Sequence, residues 1–159
     1  MAVLSMRFRL PALATMLLIA WPSSAQRRSW PDIVDRILPA VVVVETEKGK
    51  GSGFFVRPDG TLVTNHHLIA GATQIAVRTK SGEVYHGAFV MASDELRDLA
   101  ILRVEAFDVP AAALGNSNEL RAGAPVLLLG APRGLAQSAS DGIVAAIRTE
   151  ENGTRLIQT

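Results

Sequence analysis

From Pro39 onward the chain alternates between short apolar runs and turn residues. Val41 to Glu45 is β-branched almost throughout. Gly53 to Arg57 forms a second short run, Pro58-Asp59-Gly60 a tight turn, and Thr61 to Asn65 a returning strand. In that turn Pro presets φ and Gly permits a positive φ. Gln74 to Thr79 alternates apolar and polar positions, Lys80-Ser81-Gly82 reverses the chain, and Glu83 to Ala92 returns. Leu99 to Val104 makes a sixth run. Six short strands at close spacing with turns between them predict a small antiparallel barrel or sandwich. Residues 105–123, with Val109-Pro110, a run of alanines and Gly115-Asn116-Ser117-Asn118, read as a linker. Strands resume at Pro125–Leu129, Ser138–Thr149 and Thr154–Gln158, which begin a second sheet.

Ahead of the strands, Ser29 to Pro39 has a helical period. Ile33, Val34, Ile37 and Leu38 fall on one face, Ser29 suits the N-cap, Pro31 the first turn, and Pro39 the stop. The first residues read as an export signal. Arg7 and Arg9 precede an apolar stretch, Leu10 to Trp21, too short to span a bilayer comfortably. Small residues lead to Ala25, so cleavage is expected there, leaving residues 26–159 as one exported domain without a membrane anchor, periplasmic or secreted.

Composition narrows the classes. The chain of 159 residues is 48% hydrophobic and 19% charged, which reads as globular. With a net charge of +1 and no basic cluster, nothing suggests a nucleic-acid surface. There is no cysteine, so disulfides and thiolate metal sites are excluded.

The chemistry concentrates in LVTNHHLIAGA, residues 62–72, where His66 and His67 are adjacent at the end of a strand. Gly51-Ser52-Gly53 upstream would allow close backbone approach, and Leu68 to Ala72 could form one helical turn with a Gly stop. Downstream, Asp98 stands at the mouth of the sixth strand, before the apolar run Leu99-Ala100-Ile101-Leu102. A carboxylate there can be carried inward beside an imidazole, fix its tautomer and stabilise the imidazolium. Asp94 and Asp108 lack an apolar run directly behind them, and turns explain both. His86 sits alone in an alternating strand and reads as exposed. A zinc site built on His66 and His67 is disfavoured, because neighbours on a strand point to opposite faces.

Three segments, GSGFFVRPDGTLVTNHHLIAGA, DELRDLAILRV and LGNSNELRAGAPVLLLGAPRGLAQSASDGIVAAI, together resemble the trypsin-like serine proteases of the HtrA/Deg type. The resemblance covers roughly residues 30–159. It implies an all-β fold of two six-stranded barrels, the first over about residues 39–105 and complete, the second truncated over about 123–159. It also implies that His67, last in Thr-Asn-x-His, is the catalytic base, that Asp98 is the catalytic acid, and that His66 is not catalytic. Polypeptides, unfolded or misfolded in the exported compartment, are the implied substrates, with no metal or organic cofactor.

The family's nucleophile lies in a Gly-Asn-Ser-Gly-Gly segment, which does not occur here. Gly115-Asn116-Ser117 imitates its first half, but Asn118-Glu119 follows, so Ser117 is not expected to act. The expectation is a fragment of a protease, inactive as it stands. Two other classes stay open: a non-catalytic exported barrel that binds peptides or a partner, and a structural β-protein with no site.

Overall fold

A computed structural model describes residues 29–131, 138–150 and 153–159. The export segment expected over residues 1–25 lies outside these.

The described chain opens with helix α1 (Trp30–Ile37). Ser29 caps it, and Ser29 and Asp32 form a reciprocal capping box that satisfies two otherwise unpaired N–H groups. Ile33, Val34 and Ile37 are half-buried and Leu38 is buried, as the helical period predicts. A single 3-10 turn, Leu38–Ala40, then delivers the chain into the first sheet.

That sheet has seven strands: β1 (Val41–Thr46), β2 (Gly49–Phe55), β3 (Thr61–Thr64), β4 (Ile75–Arg78), β5 (Val84–His86), β6 (Phe89–Asp94) and β7 (Leu99–Arg103). All pairings are antiparallel, in the order β5-β4-β1-β2-β3-β7-β6. The two edge strands are consecutive in the chain, separated only by Gly87 and Ala88. So short a link can join opposite edges only if the sheet curls into a barrel.

The expected run Glu83–Ala92 is therefore two strands, not one. Gly87 takes a φ of +71° and swings the chain from one edge to the other. The six expected runs become seven strands for this reason.

Inward positions alternate as strand geometry requires. Val42 and Val44, Ile75 and Val77, and Ala100, Leu102 and Val104 meet Phe55 and Leu62 in one core. β1 departs from alternation because Val41 and Val43 are buried as well. Its outer face lies inside the molecule, and Val41 shares a cavity wall with Leu127, Leu128 and Leu129. At the β2–β3 turn, Asp59 accepts hydrogen bonds from the Thr61 N–H at 3.1 Å and its hydroxyl at 2.6 Å.

Residues of the expected linker run back along the first barrel. Val109 N–H donates to Pro58 O and Ala112 N–H to Phe55 O. The second region holds two hairpins, β8 (Pro125–Gly130) with β9 (Ser138–Ile143), and β10 (Ala146–Thr149) with β11 (Arg155–Gln158). The expected run Ser138–Thr149 divides at Val144-Ala145, where Val144 is buried and its N–H bonds to Ala124 O. Among the described residues these hairpins form two separate two-stranded sheets, with Leu128, Ile143 and Leu156 exposed.

Candidate active site

β3 ends at Thr64, whose side chain is buried and donates to Ser52 O at 2.9 Å. The chain then leaves the sheet at Asn65 and enters helix α2, a single turn over His66–Ile69. The two histidines therefore sit on a helical turn and not on the strand. They diverge by helical rotation of about 100° per residue, so the alternation argued from sequence is not the cause. Gly51 makes this packing possible: a Cβ there would lie 2.2 Å from Leu68 Cδ1.

The divergence sends the rings to different partners. His66 Nδ1 lies 2.5 Å from Ser93 Oγ on β6. His67 Nδ1 lies 2.7 Å from Asp98 Oδ2, and the His67 backbone N–H donates to Asp98 Oδ1 at 2.8 Å. Asp98 thus grips His67 at two points, one per oxygen.

Asp98 is delivered by the turn between β6 and β7. There Asp94 caps the turn, accepting from Arg97 N–H at 3.0 Å and pairing with the Arg97 guanidinium at 2.6 Å. Asp98 itself has a φ of +51°, a left-handed backbone uncommon outside glycine. Asn65 holds it there: its side-chain amide reaches both Asp98 O and Asp98 Oδ2 at 3.1 Å.

These donors hold the Asp98 carboxyl below the ordinary carboxylate range. The largest cause is the His67 backbone N–H, followed by the His67 ring; partial desolvation works against them, and the charge of His67 and the Asn65 amide add smaller contributions. An ionised Asp98 only accepts, so His67 Nδ1 must carry the proton. Nε2 is then left as the basic lone pair. The side chains of His67 and Asp98 are 65% and 43% exposed. Asp98 is therefore not carried into the interior as the sequence suggested; hydrogen bonds, rather than burial, fix its charge.

The other candidates disperse. Asp108 lies in a turn with φ +55°. His86 lies exposed on edge strand β5. Ser117 belongs to a 3-10 turn of the linker, where Asn116 caps Asn118 N–H and Asn118 in turn accepts from Arg155 at 2.6 Å. Asn65 and Ser93 were missed from sequence as partners of Asp98 and His66. Only the adjacency of Asn65 to the histidines could have pointed to the first.

Residues 51–159 match the family model of the trypsin-like peptidase domain. The chain is 43% identical over 96 residues to a probable periplasmic serine endoprotease, DegP-like, of Pseudomonas savastanoi pv. phaseolicola, covering 60% of this chain and 20% of that protein. It is 33% identical over 163 residues to the mitochondrial serine protease HTRA2 of Bos taurus, covering 94% and 35%. Among solved structures, the HtrA-type protease AlgW with a tripeptide superposes with a TM-score of 0.73 at 35% identity, covering 79% of this chain and 42% of that one. The serine endoprotease from Yersinia pestis superposes with a TM-score of 0.70 at 32% identity, covering 79% and 47%. The chain thus spans 20–35% of the length of these two curated relatives.

Proposed function

The chain belongs to the trypsin-like peptidase family, and from that premise we propose that it carries the acid–base half of an HtrA-type serine endopeptidase site. The observation that carries this reading is the double grip of Asp98 on His67. His67 Nε2 takes the proton of a serine hydroxyl as that oxygen attacks a peptide carbonyl. The proton then passes to the leaving amine as the peptide bond breaks. Asp98 keeps the ring oriented and stabilises the imidazolium without itself becoming protonated. His66, turned to Ser93, takes no part.

The 159 residues contain no Gly-x-Ser-Gly-Gly segment, and with it go the nucleophile and the backbone donors of an oxyanion hole. By itself this stretch is therefore inactive in peptide hydrolysis. The substrates of the complete site are polypeptides in an exported compartment, unfolded or misfolded; the periplasmic DegP-like relative and the tripeptide held by AlgW support this class. The chemistry needs no metal or organic cofactor. A second reading is an exported barrel that only binds peptides, which the tripeptide held by AlgW also supports.

One experiment separates the two. Residues 26–159 are joined to the remainder of a DegP-like protease domain, from the strand before its nucleophile onward, and assayed on casein. Cleavage blocked by a serine-directed phosphonate supports the peptidase. A folded chimera that binds peptide and never cleaves it supports the binding module.

A further inference from the structure

We propose that the tip of the β1–β2 hairpin, through Glu47 and Lys48, is a clasp that positions the His67 turn, so that these two residues are positioning residues for the base. The inference rests on the reading of His67 as general base. Helix α2 is one turn long and closes with Ala70 N–H bonded to His66 O at 3.0 Å. So short a helix does not hold itself, since nucleation is unfavourable without outside contacts. Its entry side is tied down by Asp98 and Ser93. Its exit side is tied down by the hairpin: Lys48 Nζ donates to Ala70 O at 2.6 Å, and the Thr46 hydroxyl lies 3.4 Å from Leu68 O.

Glu47 secures the next residues. Its Oε1 accepts from the Thr73 N–H at 2.7 Å and the Thr73 hydroxyl at 3.3 Å, and its Oε2 from the Gln74 N–H at 3.4 Å. These donors, the Thr73 N–H foremost, hold the Glu47 carboxyl below its ordinary range. Between the two anchors Gly71 bends the chain with φ +63°, close enough to Lys48 that a Cβ would lie 2.7 Å from Nζ. Lys48 therefore supplies a cation to the carbonyl end of the turn, and Glu47 an anion to the two amides beyond it. Both side chains belong to exposed residues, where such contacts add little to global stability. Their removal should move His67 without unfolding the barrel.

The test is nuclear magnetic resonance of the histidine rings in the 159-residue chain. The parent should show a low-field His67 Nδ1 proton that disappears in D98N. In K48M and in E47A that proton should exchange with water roughly tenfold faster, with melting temperature nearly unchanged, while K48R keeps the parent rate. Should E47A fail to fold, E47Q carries the same expectation in weaker form, because its amide keeps one oxygen for the Thr73 N–H. Parent-like exchange in K48M and in whichever Glu47 variant folds would overturn the clasp alone. A parent chain with no ring proton sensitive to D98N would overturn the base assignment, and the clasp with it.

Discussion

The two oxygens of Asp98 divide His67 between them, Oδ1 taking the backbone N–H at 2.8 Å and Oδ2 the ring Nδ1 at 2.7 Å. One residue thus fixes both where the imidazole stands and which of its nitrogens is protonated. The same carboxylate is fixed in turn by Asn65, immediately after β3. The site is a closed circuit of contacts between the end of one strand and the start of its neighbour.

This circuit makes stability depend on pH in a stated direction. The Asp98 carboxyl is depressed in the folded chain, so the unfolded chain binds the proton more readily. The stabilisation is present above the unfolded value of about 3.9 and is lost as pH falls through the lower folded value. Urea melts of the parent and D98N from pH 2 to pH 6 should therefore diverge as pH rises (about the span of carboxylate titration). Parallel curves across that range would contradict the hydrogen-bond assignment.

Ser52 links the two regions of the chain. Its hydroxyl accepts the N–H of Ala131 at 2.9 Å, and Ala131 is fully buried. Ser52→Ala leaves that N–H without its partner and should cost about 1–3 kcal/mol. Equilibrium denaturation reads the loss directly. A change near zero would show that another acceptor serves Ala131.

Gly60 and Gly82 both have a left-handed backbone, with φ of +85° and +91°. An alanine at either should cost about 1 kcal/mol in backbone strain. At Gly60 the new Cβ would also fall 2.3 Å from Val104 O, whereas at Gly82 nothing lies within 4 Å. G60A should therefore be clearly less stable than G82A by thermal melting. Equal melting temperatures would contradict the close packing of that turn.

Phe55 and Phe107 make a similar contrast between core and surface. Phe55 is fully buried and Phe107 is 88% exposed. Phe55→Ala should cost about 3–5 kcal/mol. Phe107→Ala should stay within about 0.5 kcal/mol. Chemical denaturation of both variants checks the pair.

Much of this was legible in the sequence because it is local. Ile75 and Val77 show their buried face by alternation alone, and Pro58-Asp59-Gly60 announces its turn. The break at Gly87 was not legible, because a single glycine in a β-prone run does not say whether the sheet bends or changes edge there. The start of β2 at Gly49 was missed for a related reason: Gly49-Lys50-Gly51 has poor strand propensity and is held in the ladder by pairing with β1. His67 and Asp98 could be paired from their motifs, but the helical turn that separates His66 from His67 could not be told from a continued strand. The contacts of Asn65 with Asp98 and of Glu47 with Thr73 join residues 33 and 26 positions apart, and no local pattern encodes them.

The most direct test of the central claim is a pair of single substitutions in the chimera that supplies the nucleophile. Initial rates of casein cleavage are compared for H67A and H66A. His67 as general base predicts a loss of at least about a thousandfold in H67A, while H66A keeps most of the parent rate. Cleavage that survives in H67A, or is abolished in H66A while H67A keeps it, would contradict the assignment.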